Sequence, residues 1–318
     1  MARYLSTRII TAVPVVLLVT LLVFVMGHLL PGDPVLQLVP PEEAARFTQA
    51  DLARLRAAYG LDRPLPVQYM SWLWRALHAD LGRSLRNRRP VDRLIEERLP
   101  VTGQLAAMAV LLSLACAIPL GVVAALHAGR PEDTLASTVG LLGLSVPSIF
   151  TGTVLLFVFA YVLRVLPAGG YVAPAQALGR NLLGMLMPAF TLGTAFMGSV
   201  MRVTRTSVVE TLRMEYVTTA RAKGVAERRV VGRHALRNAL VPVTTIVALQ
   251  IGGVLGGTFI TEQIFAIPGV GTLAVGSIFA RDFPVVQGVV MFFALLYLFI
   301  NLAADVCYAW LDPRIRYD

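Results

Sequence analysis

The chain has 318 residues, of which 56% are hydrophobic and 15% charged, and a formal net charge of +9; its mean hydropathy is +0.70. A soluble domain carries about 25% charged residues, so this composition excludes an ordinary water-soluble enzyme and a disordered chain, and makes lipid the solvent for most of the apolar surface. The basic excess is arginine apart from Lys223, and in a membrane chain such an excess marks cytoplasmic loops rather than a nucleic-acid partner.

Six apolar segments are long enough to cross a bilayer: 9–30, 101–126, 135–163, 182–201, 240–260 and 285–307. The first is longer than the apolar stretch of a signal peptide and no small-residue cleavage site follows it, so it reads as an uncleaved anchor. Between the first two spans, segment 31–100 carries 11 arginines against nine acidic residues. In it, Thr48 is placed to cap a helix running to Tyr59 and ended by Gly60. Trp72 and Trp74, within 68–79, fit a helix at the membrane interface, where indoles favour the headgroup region. Residues 92–99 set Arg93 and Arg98 against Glu96 and Glu97 at helical spacings. The segment reads as a self-paired, solvated subdomain, with a gate or a docking surface as the functional alternative. For Arg83, Arg86, Arg88 and Arg89, binding of acidic groups and plain solvation both stay open.

Pro147 and Gly152 interrupt the third span, which predicts a kink or tilt. The fifth holds Gly252, Gly253, Gly256 and Gly257, two overlapping GxxxG pairs. Small residues let helices approach closely in lipid, so this is a packing seam, within the chain or with a partner subunit along a pathway. Glu262 follows the outer end of that span, and Arg281 with Asp282 precedes the last; these three are candidates for an outer gate. Asn301 and Asp305 lie one turn apart in the last span, where Asp305 reads as a structural hydrogen bond or ion pair.

With the N-terminus inside, the cytoplasmic segments carry 14 basic residues and the short outer loops three: Arg164, Arg180 and Arg281. The positive-inside rule then puts both termini in the cytoplasm. The organisation is 1–30 for the N-terminus and first span, 31–100 outside, 101–310 for the core with cytoplasmic loop 202–238, and 311–318 for the tail. No P-loop and no HExxH run is present. The four histidines are scattered, and Cys116 and Cys307 sit in apolar runs as buried structural thiols. No catalytic, metal or cofactor site is expected.

Loop 202–238 holds nine basic and three acidic residues. A short helix 215–223 should end at Gly224, and a second should run from 227 to 240, stopped by Pro242. Val217, Ala220 and Gly224 share a face, which suits a helix laying its backbone into a groove.

This loop, YVTTARAKG at 216–224 followed by RHALRNALVP at 233–242, resembles the "EAA" loop in the permease subunits of ATP-binding cassette importers, in the variant of the dipeptide, oligopeptide and nickel group. The resemblance extends along the chain through LPGDP at 30–34, DLG at 80–82 with Ser84, EQIF at 262–265 leading into PGVG at 268–271, Arg281-Asp282 with Pro284 and Gln287-Gly288, and Asn301-Leu302, Asp305 and Asp312 to Arg314. Thr218 stands where the general consensus has Glu, and Leu236-Arg237 where it has Leu-Pro, as in the peptide branch.

The resemblance implies an all-α membrane protein with six transmembrane helices and the type I importer permease fold. It implies a coupling helix, Thr218, Thr219, Ala220, Arg221, Ala222, Lys223 and Gly224, seated in a cleft of an ATPase subunit, with Arg221 and Lys223 as polar contacts. The implied partners are a second homologous permease, two ATPase subunits and an extracytoplasmic solute-binding protein. ATP and Mg would sit in the ATPases, and this chain would be non-catalytic in the bacterial inner membrane. The implied cargo is a di- or oligopeptide, with nickel complexes or glutathione as alternatives. A different class, an ion-coupled secondary transporter, would need intramembrane coupling groups, for which only Asp305 and Glu262 stand.

Overall fold

The computed structural model describes residues 2–29, 48–58 and 60–311. The LPGDP segment at 30–34, Tyr59, the tail 312–318 and the side chains of His28, Asp305 and Cys307 lie outside the described residues. In chain order the helices are α1 (Ala2–Leu29), α2 (Gln49–Ala58), α3 (Leu65–Leu77), α4 (Val91–Leu126), α5 (Pro131–Ser145), α6 (Ser148–Leu155), α7 (Pro174–Leu212), α8 (Glu215–Ala222), α9 (Leu236–Ile264), α10 (Val270–Phe279) and α11 (Phe283–Leu311). A wider π-helical stretch, Leu156–Val162, continues α6, and a turn Glu227–Arg229 with a second such stretch, Val230–Ala235, leads into α9. Among the described residues the only β pairing is one bridge between Arg83 and Pro90.

Two compact units form. Among the described residues, one comprises those up to Pro100 with Gly269–Phe299, the other Val101–Pro268 with those from Ile300 to Leu311.

In the first unit, Thr48 and Asp51 cap α2 reciprocally. Thr48 N donates to Asp51 Oδ2 at 3.1 Å and Asp51 N to Thr48 Oγ1 at 3.3 Å, a capping box with Asp in place of Glu. The Thr48 hydroxyl also donates to Asp51 Oδ2 at 2.6 Å, and this bond, with the one from Thr48 N, holds the Asp51 carboxyl below its ordinary pKa. Gly60, at φ +67°, turns the chain out of the helix. Pro64 precedes α3 and Pro66 occupies its first turn, where a missing N–H costs nothing. Tyr69 ties α3 to α1: its hydroxyl donates to Leu17 O at 3.2 Å and shares a 2.9 Å bond with Thr20, while its ring meets Phe24 edge-on at 5.4 Å. Trp72, Ala76 and Met291 of α11 form the small core beneath.

The second unit is built around α7, the most enclosed of the long apolar helices. Backbones approach closely where small residues meet. A Cβ on Gly143 would lie 2.8 Å from Thr194 O, and one on Gly121 would lie 2.7 Å from Met201 O. Gly198 is pressed in the same way against Gly140 O. Ser113 of α4 donates to Gly193 O of α7 at 2.9 Å. This is the close-approach chemistry that replaces the hydrophobic effect in lipid.

Among the described residues, four helices are long and apolar enough to cross a membrane: Val91–Leu126, Pro174–Leu212, Glu227–Ile264 and Phe283–Ala304. The third predicted span is broken rather than kinked. Pro131–Ser145 and Ser148–Val162 meet at 108°, because Pro147 lacks an N–H and holds Val146 extended, at φ −82° and ψ 124°. In α1 the apolar run within the described residues is Val13–Val25. Residues 92–99 are the first turns of α4 and not a separate helix; Arg93 pairs with Glu96 at 2.7 Å, while Glu97 pairs with Arg89. Cys116 is half-buried against the core and unpaired, so it is less enclosed than expected.

Candidate functional site

The connection from α7 to α9 is an ordered structure. α8 ends in a Schellman cap: Gly224 N donates to Arg221 O at 2.9 Å and Val225 N to Ala220 O at 3.3 Å. Gly224 takes φ +77°, the left-handed geometry this cap requires and glycine adopts without cost. Val217, fully buried, packs with Ala220 and Val230, and Leu212 and Val225 close the cluster. Arg221 reaches across the cap and grips Glu227 with both prongs, Nε to Oε2 at 3.1 Å and Nη2 to Oε1 at 2.6 Å. That guanidinium holds the Glu227 carboxyl below its ordinary pKa. At the other end, Asn238 Nδ2 donates to Tyr216 Oη at 2.7 Å, and Tyr216 donates to His234 O at 3.2 Å.

This corrects the reading of the helix face. Val217 and Ala220 turn inward, because the chain supplies its own apolar partners in Leu212, Val225 and Val230. The exposed face is Thr218, Thr219, Arg221, Ala222 and Lys223, with Gly224 at its end. Pro242 does not stop the next helix, which runs to Ile264. Ala239 and Val243 on either side of it are buried, and their packing holds the helix across the missing hydrogen bond.

The gate candidates fall in both units. Glu262 lies in the last turn of α9, is fully buried, and accepts a 2.7 Å bond from Thr102 Oγ1. Its backbone carbonyl accepts from Ile267 N at 2.9 Å, and Gly170 N donates to Phe265 O at 3.1 Å, so the EQIF segment is folded over by loop residues. Arg281 is exposed at φ +55°. Asp282 is buried and clasps the segment before α4: Ser84 Oγ donates to it at 2.5 Å and Leu85 N at 2.9 Å. Gly288 lies one turn beyond Pro284, and a Cβ there would meet Val91 at 2.5 Å. The DLG, Ser84, Asp282 and Gln287-Gly288 motifs therefore belong to one structural clasp.

The four glycines of α9 divide. Gly252 is buried, and a Cβ on Gly257 would lie 2.8 Å from Leu192 Cδ1. Gly253 and Gly256 meet nothing within 4 Å.

Two polar clusters escaped the sequence reading. Asp133 is buried and receives Arg205 bidentately, Nε to Oδ1 at 2.5 Å and Nη2 to Oδ2 at 2.6 Å, with Gly129 N donating at 2.8 Å. The signal was faint: an Asp beside Glu132 and Arg130 where the third span begins, and an Arg close to Arg202 where the fourth ends, so neither stands out as the other's partner. The second cluster joins Gln104, the buried Asn181 and Tyr171. Tyr171 donates to Gln104 Oε1 at 3.1 Å and Asn181 to Val172 O at 2.7 Å, and Gln104 also bonds Asn181.

Known proteins bear on this architecture. The family model described as "Binding-protein-dependent transport system inner membrane component" matches residues 117–317, and one for the N-terminal part of such components matches 1–106. A Brucella abortus (strain 2308) protein named "Putative peptide transport system permease protein" is 40% identical over 318 residues, covering 100% of both chains. The glutathione transport system permease protein GsiC of Salmonella typhimurium is 38% identical over 317 residues, again covering 100% of both. A crystal structure of an amino acid ABC transporter with histidines shares the fold, with a TM-score of 0.50 at 15% identity, over 70% of this chain and 94% of that one. The chain thus has the type I ABC permease fold and belongs to the family of inner-membrane components of binding-protein-dependent transport systems.

Proposed function

We propose that the chain is the permease subunit of an ATP-driven importer of peptides, and that α8 is the element through which ATPase subunits move it. The observation that carries this is the rigid mounting of α8. A buried apolar cluster, a Schellman cap and the Arg221–Glu227 fork hold it from behind, while Thr218, Thr219, Ala222 and Lys223 stay exposed. A loop that served only as a connection would need none of these restraints. Arg221 is already engaged with Glu227, so its part is to brace the cap, and Lys223 is the stronger candidate for a polar contact with a partner.

The charge asymmetry favours a cytoplasmic position for this loop and both termini. On this reading the chain is non-catalytic, ATP and Mg belong to two partner ATPases, a second permease completes the pathway, and an external binding protein delivers cargo. The name of the Brucella relative supports a peptide cargo. A second cargo, glutathione, is favoured by the name of GsiC, and competition between labelled dipeptide and glutathione for uptake separates the two.

Gly224→Asp tests the coupling role. A Cβ there meets nothing within 4 Å, and Asp tolerates the left-handed region, at a cost of about 1 kcal/mol. The variant should insert and fold normally, yet lose ATP-driven dipeptide uptake in proteoliposomes, with Gly224→Ala milder. Normal uptake by Gly224→Asp would remove α8 from the coupling role.

A further inference from the structure

Helix α3 has three faces. Tyr69, Trp72 and Ala76 pack inward. Val67, Met70, Trp74 and Leu77, spaced three and four apart, are exposed; Trp74 is 66% and Leu77 69% accessible. An exposed apolar stripe that includes an indole is the signature of a helix lying at the membrane–water boundary. The third face, Gln68, Ser71 and Arg75, lines a cavity of about 410 Å³ within the first unit.

Arg63 and Arg83 join Arg75 on the cavity wall, against a single carboxylate, Asp80. Asp80 already accepts from Gly82 N at 2.9 Å. The floor is apolar: Phe24 comes from the apolar run of α1, and Phe283 opens the apolar α11. The cavity therefore joins cationic walls to hydrocarbon-level side chains. Trp72 also lines it, and its Nε1 is buried with no hydrogen-bond partner among the described residues. A buried indole N–H ordinarily finds an acceptor, and leaving it unmet is costly.

We propose that this cavity is a phosphate-oxyanion site, filled by the headgroup of an anionic phospholipid. Guanidinium groups match phosphate oxygens in paired hydrogen bonds, and basic pockets beside spans are the sites where anionic headgroups dock. The lipid source follows from the apolar stripe of α3 and from Phe24 and Phe283, which place the opening where acyl chains begin. The phosphate would accept from Arg63 and Arg75, and an oxygen of the headgroup would meet the Trp72 N–H. The site is separate from α8, and its test does not depend on transport.

The full-length chain, purified in delipidating detergent, is titrated with phosphatidylglycerol or phosphatidylcholine and followed by native mass spectrometry. Retention of phosphatidylglycerol should exceed that of phosphatidylcholine, and Arg63→Gln or Arg75→Gln should each lower it about tenfold, as the loss of one charged hydrogen bond predicts. Both arginines are exposed, so an unchanged thermal midpoint should accompany the loss. As a measurement that needs no charge variant, the indole N–H resonance of Trp72, assigned with Trp72→Phe, should shift on adding phosphatidylglycerol. A shift produced equally by millimolar inorganic phosphate would identify a free anion as the source and overturn the lipid assignment. Equal retention of both lipids with an unmoved Trp72 resonance would overturn the site.

Discussion

Two ion pairs in this chain look alike and do different work. Arg221–Glu227 is bidentate but open to water, with side chains 41% and 58% exposed, so screening leaves it a small share of stability. Arg205–Asp133 is bidentate with the carboxylate nearly sealed, 7% exposed. Removing Asp133 there leaves the half-buried guanidinium of Arg205 without its partner. Asp133→Asn should destabilise the chain by about 2 kcal/mol, less than the roughly 3–5 kcal/mol of breaking a fully buried pair because Arg205 retains some solvent. In detergent this reads as a lowered thermal midpoint, and adding Arg205→Gln should restore part of the loss. An unchanged midpoint in Asp133→Asn would mean the fork contributes orientation only. Little of this was legible in the sequence: the partners stand 72 residues apart, and no local pattern joins them. The cap of α8 was legible, because Glu215, Arg221 and Gly224 signal start, end and left-handed turn within ten residues.

At the scale of elements, what local chemistry determines could be read and what tertiary contact determines could not. The helix capped by Thr48 was foreseen, since its partners lie three residues apart. Pro147 and Pro242 are the same residue type, yet one breaks a span by 108° and the other lies inside a continuous helix. Their sequence neighbourhoods do not separate them; the buried flanks of Pro242 do. The inward face of α8 was misread for the same reason, because Val230 lies beyond the helix itself. Close helix approach is the strongest such tertiary term. Gly198→Val would press methyl groups against Gly140 O and Leu144. It should cost several kcal/mol, in excess of the usual 1–3 kcal/mol of overpacking because backbone has to move. Gly253→Ala, where the space is open, should instead gain about 0.8 kcal/mol of helix propensity. Thermal midpoints of the two variants in detergent compare them directly, and similar midpoints would show that α5 and α7 can separate without penalty.

For the whole molecule, the question is which surface meets a second subunit. Helices in lipid do not associate by the hydrophobic effect, so a seam needs backbone close to backbone. The glycines of α9 offer that in two directions. Gly252 is buried and Gly257 is spent on the chain's own α7, with Leu192 directly over it. Gly253 and Gly256 open on unfilled space, beside the exposed Leu249 and Ile260. If a second permease seats on this face, bulk at Gly256 must harm assembly and spare the single chain. Gly256→Leu should therefore keep or raise the thermal midpoint of the isolated chain, since leucine is the better helix former, while co-purification of the partner permease falls about tenfold or more, the effect of a lost close contact worth 1.4 kcal/mol. Gly257→Leu should do the reverse, lowering the midpoint through overpacking against Leu192. Recovery of the intact complex with Gly256→Leu would place the subunit seam on another helix.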